Sequence, residues 1–231
     1  MAEFLQQCGS WGVRATLAAY AAGVWVNRKT GKALFNPLLM GSIFMIVFLS
    51  CFGVPYADYK SSAQPVSWLL MPATVSLAIP LYEKWELLEK SLAAIFASIA
   101  AGVLTSLGSV LAMAWLLKLE RAHAVSFLPK SVTTAIGMDV AETLGGTAAL
   151  AGAVIILTGI VGSLLGETVC KVCRITDPLA KGLALGTSAH AIGTSKALQM
   201  GEIEGAMSGL AIAVAGIMTA ILAPVVANFL P

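Results

Sequence analysis

The stretch LGTSAHAIGTSKALQ, residues 185–199, holds four hydroxyls, a histidine, a lysine and two glycines in fifteen positions. A long apolar run follows it, from residue 206 to residue 230. A run of about twenty apolar residues can cross a hydrocarbon core about 30 Å thick. A polar segment beside such a run is tolerated at membrane depth only where it faces protein or a water-filled cavity. The stretch therefore predicts a membrane protein with a polar interior.

The composition of the whole chain agrees with a membrane protein. Of the 231 residues, 58% are hydrophobic and 11% are charged, whereas about 25% are charged in a typical soluble domain. The ten-residue alternation of a membrane β-barrel is absent from the sequence. We predict an all-α polytopic membrane protein with about six spanning helices, near residues 8–26, 36–54, 65–82, 92–117, 147–168 and 206–230.

Two further segments, 129–146 and 182–200, are too polar to be ordinary lipid-facing helices. We predict that both are discontinuous or re-entrant, so that each enters and leaves on one side of the membrane. Three loops then fall on the inner side with eight lysines and arginines, against three in the outer loops, as the positive-inside rule requires. This topology places both termini outside, and it puts the following loops inside: 27–35, 83–91 and 167–181.

A sequence period of about 57 residues predicts internal repeats. MPATVSLAIP (71–80), LPKSVTTAIG (128–137) and LGTSAHAIG (185–193) align on their Ala-Ile pairs, and each precedes an apolar helix. A re-entrant segment plus one span crosses the membrane once, so successive copies would be inverted, as in many secondary transporters. We predict N-terminal helices with a scaffold or oligomerisation role in residues 1–64 and a repeat-built transport domain in residues 65–231.

Ionisable groups at membrane depth need a functional or structural reason, because insertion costs about 2.5–3.5 kcal/mol each. Lys130 and Lys196 lie in corresponding polar segments among hydroxyls. Helix ends and ammonium groups meeting near the midplane would favour a small carboxylate, and hydroxyls supply the remaining hydrogen bonds. The candidate substrate-binding residues are Lys130, Ser131, Thr133, Thr134, Thr187, Ser188, His190, Thr194, Ser195 and Lys196.

Each of these residue types also has a structural interpretation. Either lysine can extend its ammonium group to the aqueous boundary, and His190 can be a packed histidine that hydrogen-bonds between helices. Asp139 and Glu142 lie three residues apart on one helical face. Both acids can form ion pairs with Lys130. Alternatively, Asp139 can carry a coupling proton, and so can His190.

Several function classes are excluded or disfavoured by the sequence. A net charge of +2 gives no reason to expect a nucleic-acid partner. No phosphate-binding P-loop motif is present, and neither H-E-x-x-H nor G-x-S-x-G occurs. The single C-x-x-C at Cys170 and Cys173 lacks the further ligands of a structural zinc site. We therefore expect no enzymatic activity, no metal and no cofactor.

Four stretches of the chain resemble the LrgB/CidB family of bacterial inner-membrane proteins, which includes the plastidial glycolate/glycerate translocator. They are NPLL (36–39), PATVSLAIPLYE (72–83), LPKSVTTAIGMDVAETLGG (128–146) and GTSAHAIGTSKALQMGEIEGAMSGLAIAVAGIMTAILAP (186–224). Three positions depart from the family's usual residues: Ala135 replaces a proline, Ala189 replaces a serine and Lys196 replaces an arginine. The last change exchanges a bidentate guanidinium for a point charge, which affects substrate specificity.

The resemblance implies two functions. One is transport of small organic acids such as pyruvate, glycolate or glycerate, which agrees with the polar residues above. The other is a holin/antiholin-like role, in which the protein and a small LrgA/CidA-type membrane partner modulate murein hydrolase export and cell lysis. We predict a secondary transporter or facilitator working by alternating access in the inner (plasma) membrane as a homo-oligomer. The alternatives are the antiholin-like regulator and a structural subunit that is inactive without its partner.

Overall fold

The structure is a computed structural model and describes residues 10–69 except 31–34 and 36, the single positions 72, 75, 79, 82 and 89, and residues 92–231. Every regular element in this part of the chain is a helix, which confirms the all-α prediction. The chain divides into two compact units, Met1–Ser76 and Leu77–Pro231. The boundary after residue 64 and the roles expected for the two parts stay predictions.

The first unit contains four described helices: α1 (Trp11–Thr30), α2 (Pro37–Phe52), α3 (Tyr56–Ser62) and α4 (Gln64–Trp68). Helices α1 and α2 approach closely at Gly23, where an added Cβ would lie 2.6 Å from the carbonyl oxygen of Pro37. Small residues permit this kind of close packing between membrane helices. A hydrogen bond of 2.8 Å between the hydroxyls of Thr16 and Tyr59 joins α1 to α3.

The second unit contains six described helices: α5 (Leu92–Leu117), α6 (Arg121–Phe127), α7 (Thr134–Thr143), α8 (Ala148–Val172), α9 (Pro178–Met200) and α10 (Glu202–Ala227). Helices α5, α8 and α10 are long and apolar enough to cross a membrane, which confirms three predicted spans. The last of these begins at Glu202, four residues before the predicted start. Helices α1 and α2 coincide with two more predicted spans, and half of the residues of the span predicted at 65–82 lie outside the described residues.

The three long helices alternate in direction. The indole nitrogen of Trp115 donates a 3.0 Å hydrogen bond to the carbonyl of Phe229, so α5 and α10 finish at the same end of the unit. We call this the Trp115 end. Helix α8 runs the other way: its Gly166 and Gly162 pack against Leu185 and Ala189 of α9, in a half of α9 that is parallel to α10. It finishes at Val172, close to Arg174. We call that opposite end the Arg174 end.

Helix α9 is two half-helices folded back on each other. His190 interrupts it with φ 42° and ψ −137°, which is not a helical conformation. Gly193 then packs against the carbonyl of Leu185, although eight residues of straight helix would separate the two by about 12 Å. The chain therefore reverses at His190, which confirms that the predicted segment 182–200 is discontinuous. That it enters and leaves the membrane on one side stays a prediction. We call residues 178–200 the second hairpin.

The direction of each half of this hairpin follows from its contacts with α10. Gly182 packs against Glu204, and four residues later Gly186 packs against Ser208. Thr194 in the returning half bonds to Ser208 as well, at 2.7 Å. The first half is thus parallel to α10 and the second half antiparallel. The first half therefore begins at the Arg174 end, and the second half finishes there.

A first hairpin, residues 121–147, consists of α6, a turn and α7. The amide of Thr147, after α7, donates a 2.8 Å hydrogen bond to the hydroxyl of Ser126 in the last turn of α6. The predicted segment 129–146 contains the turn and α7, and α6 adds the residues before it. Ala124 and Val125 of α6 are completely buried.

The two hairpins enter the second unit from opposite ends. The first begins and finishes at the Trp115 end, beside the start of α8, and the second begins and finishes at the Arg174 end. Each hairpin is followed by one long helix, and these two helices, α8 and α10, run in opposite directions. The 57-residue repeat itself stays a prediction, and its first copy, 71–80, lies mostly outside the described residues. The sidedness of the two ends also stays a prediction.

Candidate functional site

A cavity of ≈ 830 Å³ lies between α5, α8 and the two hairpins. Helix α5 contributes four hydroxyls and a glycine, the turn of the first hairpin contributes an ammonium group and a hydroxyl, and the second hairpin contributes two more hydroxyls. The polar side chains in its wall are Ser98, Thr105, Ser106, Ser109, Lys130, Ser131, Thr158, Thr187 and Ser188. The cavity therefore combines a positive charge with hydroxyls inside an apolar unit.

Lys130 brings the positive charge into the cavity. Its Nζ donates hydrogen bonds to Ser106 Oγ at 3.0 Å and to Ser131 Oγ at 3.3 Å, and these two hydroxyls lie 3.0 Å apart. The side chain is half-buried, and no carboxylate of the described residues lies within ion-pair distance. An ammonium group with only neutral partners keeps its charge available for an anion.

Thr187 brings the second hairpin to the same place. Its side chain is 6% exposed, and its hydroxyl has no hydrogen-bond partner among the residues that the structure describes. A buried polar atom left without a partner costs about 1–3 kcal/mol. Thr187 lies against Gly102, which is one helical turn from Ser106 near the middle of the 26-residue α5. The two hairpins thus meet at mid-depth on one stripe of α5.

The hydroxyls of α5 were missed by the sequence interpretation, which treated residues 92–117 as an ordinary span. Thr105 donates to the carbonyl of Ala101 at 2.7 Å and Ser109 to that of Ser106 at 2.7 Å, so their oxygens keep lone pairs for a ligand. The signal that could have found these residues is their spacing. Positions 98, 102, 105, 106 and 109 follow the period of one helical face.

Other predicted site residues support the hairpins instead of lining the cavity. The Nε2 of His190 lies 2.9 Å from the carbonyl oxygen of Ile155, which anchors the second hairpin's tip to α8. Thr194 donates to the carbonyl of His190 at 3.0 Å. Thr133 precedes α7 at its N-cap position, and Thr134 packs near Gly152.

The second hairpin also contains predicted site residues that face outward. Ser188 is exposed at the cavity wall, and its hydroxyl donates to the carbonyl of Ala184 at 2.6 Å. Ser195 is exposed outside the cavity and donates to the carbonyl of Ala191 at 3.3 Å. Of the ten predicted residues, the cavity therefore collects four: Lys130, Ser131, Thr187 and Ser188.

The structure does not bring Lys130 and Lys196 together. Lys196 lies 2.8 Å from a carboxylate oxygen of Glu167, in a second pocket at the Arg174 end. The expectation that two ammonium groups share one site fails because the returning half of the second hairpin carries Lys196 back to the end from which the chain entered. The suggested pairing of Lys130 with Asp139 or Glu142 does not form either, since both acids are exposed on α7. No three His, Cys, Asp or Glu side chains in the described ranges converge as metal ligands.

Comparisons with known proteins agree with the sequence resemblance. The sequence model of the LrgB-like family matches residues 16–229. A Bacillus subtilis (strain 168) protein named "Antiholin-like protein LrgB" is 37% identical over 216 residues, which cover 93% of this chain and 94% of that protein. Proteins of the same name from Bacillus mycoides (strain KBAB4) and Bacillus cereus (strain B4264) are each 34% identical over 221 residues, covering 95% of this chain and 96% of theirs. No solved structure matches the chain.

Proposed function

The chain belongs to the LrgB-like family of multi-pass membrane proteins, and from this premise we propose that it moves small organic-acid anions across the membrane. The observation that carries the proposal is the cavity that Lys130 and Thr187 share. One comes from a hairpin that enters at the Trp115 end and the other from a hairpin that enters at the Arg174 end. A site at mid-depth between two such hairpins has the geometry of an alternating-access binding site.

The chemistry of the cavity favours a small carboxylate. The ammonium group of Lys130 attracts the anion, and its bonds to Ser106 and Ser131 orient it. The unpaired hydroxyl of Thr187 can bond a hydroxyl or keto oxygen of the same molecule. Pyruvate, glycolate and glycerate have these two features. A volume of ≈ 830 Å³ exceeds that of a three-carbon acid, so the anion would be bound with water.

The contact residues that we propose are Lys130, Ser131, Thr187 and Ser188, with Ser106 positioning the ammonium group. His190 and Thr194 would position Thr187, because they hold the tip of the second hairpin and Thr187 lies three residues before it. Proton co-transport through His190 or Asp139 stays part of the proposal. In that case the buried ring of His190 would have to break its hydrogen bond with the carbonyl of Ile155 and form it again during each transport cycle.

Uptake of labelled pyruvate, glycolate or glycerate into proteoliposomes tests the proposal. A hydrogen bond to a charged group contributes about 1.5–3 kcal/mol, so Lys130→Met should lower uptake about tenfold or more. Lys118→Met is the matched control, since Lys118 is exposed at the end of α5 and lines neither pocket. Equal uptake by the wild type and by a correctly folded Lys130→Met variant would contradict the assignment.

The names of the relatives favour a second candidate, an antiholin-like membrane regulator of murein hydrolase export and cell lysis. Such a protein would act in the inner membrane with a small LrgA/CidA-type partner, as a homo-oligomer in our proposal. A regulator that transports nothing does not need a charge in the cavity. Cell lysis and reconstituted uptake, both measured with Lys130→Met, therefore separate the candidates. If lysis is the same as in the wild type and neither protein shows uptake, the regulator is favoured. Uptake that requires co-reconstitution of the partner identifies a two-protein transporter.

A further inference from the structure

A second pocket, of ≈ 730 Å³, lies at the Arg174 end of the second unit. Its walls come from the last turns of α8, the connection to α9, both halves of the second hairpin and the first turn of α10. It is separate from the cavity that contains Lys130, and none of the proposed anion contacts lines it. Its charged side chains are four cations and two carboxylates: Lys171, Arg174, Lys181, Lys196, Glu167 and Glu204.

The cations of this pocket exceed what its carboxylates neutralise. Glu167 binds two of them, with Lys196 at 2.8 Å and Lys171 at 2.9 Å. Arg174 and Lys181 form no ion pair within the ranges that the structure describes. With Glu204 counted as the second carboxylate, the net charge of the pocket is still positive. The pocket therefore has one guanidinium and one ammonium group available for an anionic ligand.

Arg174 occupies a backbone position at which glycine is usual. Its φ is 55°, and the amide of Ile175 bonds to the carbonyl of Cys170 at 2.8 Å, which closes the end of α8. A left-handed residue that ends a helix in this way is most often glycine, since a side chain there is strained. Lys118 ends α5 in the same conformation, with φ 51°, but it does not line this pocket. The chain thus contains a matched control for the contribution of a cation at a helix end.

The surface beside the pocket is apolar. Leu165, Val169 and Val172 on the last two turns of α8 are 53%, 49% and 76% exposed. Helix α8 is long and apolar enough to span a bilayer, and in a bilayer these exposed side chains are available to acyl chains. The pocket lies at the end of the same helix, and the headgroup region of a bilayer adjoins the ends of a helix that spans its hydrocarbon core. Basic pockets between spanning helices bind anionic headgroups.

We propose that this pocket binds a phosphate group, with Arg174 as a bidentate partner and Lys181 as a second cation. The planar guanidinium matches the geometry of phosphate oxygens. The adjoining apolar surface favours an anionic phospholipid over free phosphate as the source. The proposal does not depend on transport, because the pocket contains no residue of the proposed transport site.

Binding by the full chain in detergent micelles tests this assignment. Thermal unfolding is followed while phosphatidylglycerol, phosphatidylcholine or inorganic phosphate is titrated at constant ionic strength. Phosphatidylglycerol should raise the Tm of the wild type, of Lys118→Gln and of Lys130→Met, whereas phosphatidylcholine should not. A cation near a membrane surface contributes enough to change affinity about fivefold. We expect Arg174→Gln and Lys181→Gln each to weaken the apparent affinity for phosphatidylglycerol by about this factor.

Arg174→Gly keeps the experiment decisive, because glycine is unstrained at this φ and a folding defect is not expected. Its control is Lys118→Gly, with the same backbone change at the Trp115 end. An inorganic phosphate response that Arg174→Gly loses and Lys118→Gly keeps would support the pocket with a soluble source of phosphate. The proposal is overturned if Arg174→Gly and Lys118→Gly respond alike to both phosphatidylglycerol and phosphate. A transport defect in Lys130→Met with normal lipid binding separates this result from the proposed function.

Discussion

Thr187 packs its methyl group against Gly102, where an added Cβ on the glycine would lie 2.5 Å from Thr187 Cγ2. This contact brings the second hairpin onto α5 one turn away from Ser106, the residue that binds Lys130 of the first hairpin. The two hairpins therefore share a support on α5, and Thr187 can approach α5 this closely because glycine at position 102 has no side chain. Two glycine substitutions on this helix test that relationship.

We expect Gly102→Ala to displace Thr187 and to lower the free energy of unfolding by about 1–3 kcal/mol, the usual cost of overpacking. Uptake should fall as well, because Thr187 lines the cavity. Adding Thr187→Ser should restore most of the stability, since the added Cβ would then meet Thr187 Cβ at an ordinary 3.4 Å. Thermal unfolding of both variants in detergent measures this.

Gly108→Ala is the control for that pair of variants. Position 108 lies on the same helix, and nothing lies within 4 Å of an added Cβ there. Alanine is a better helix former than glycine by about 1 kcal/mol, so this variant should be as stable as the wild type or more stable. A destabilised Gly108→Ala, or a double variant no better than Gly102→Ala, would contradict the packing described.

We expect Ser126→Ala to loosen the base of the first hairpin. Ser126 is 0% exposed, accepts from the amide of Thr147 at 2.8 Å and donates to the carbonyl of Ala122 at 2.7 Å. Its loss removes both hydrogen bonds of this buried hydroxyl, and each such bond contributes about 0.5–1.5 kcal/mol. Ser195→Ala, at an exposed serine, should change the free energy of unfolding by less than about 0.5 kcal/mol. Chemical unfolding curves of the two variants that coincide would show that Ser126 does not close the hairpin.

We expect Glu167→Gln to have a small effect on stability, although it breaks two ion pairs. The side chains of Glu167 and Lys171 are 39% and 75% exposed, and an exposed pair contributes about 0–1 kcal/mol. The difference from the wild type should shrink further in 1 M salt, where screening acts over about 3 Å. Unfolding at low and high salt measures it. A loss above about 2 kcal/mol would mean that this bridge holds the second hairpin in place.

The second hairpin could be predicted from the sequence because its polar residues interrupt an apolar context. The stretch 185–199 has too many hydroxyls to face lipid, and the break at His190 lies within it. The start of the first hairpin could not be predicted in this way. Helix α6 (RAHAVSF) is short and of mixed polarity, and its burial depends on packing against α5, α7 and α8, which no local pattern encodes.

The candidate site was predicted in part, for a related physical reason. Residue type identified Lys130 and Thr187 as polar groups that need an aqueous or protein environment. Residue type could not tell which polar groups share a cavity, since that depends on where each hairpin reverses. Lys196 lies six residues beyond the break at His190, so it returns to the Arg174 end and meets Glu167. The hydroxyls of α5 were hidden because a hydropathy window averages them with their apolar neighbours.

The bond between Thr194 and Ser208 gives the last prediction, because it fixes the returning half of the second hairpin to α10. The two oxygens lie 2.7 Å apart, and the residues are 2% and 0% exposed. Thr194 donates its single proton to the carbonyl of His190, so Ser208 must donate to Thr194. Thr194→Val and Ser208→Ala should each lower the free energy of unfolding by about 1–3 kcal/mol. The double variant should lose less than the sum, with a coupling of about 0.5–3 kcal/mol. Strictly additive losses in this cycle would show that the two hydroxyls do not interact and that the returning half is held by packing alone.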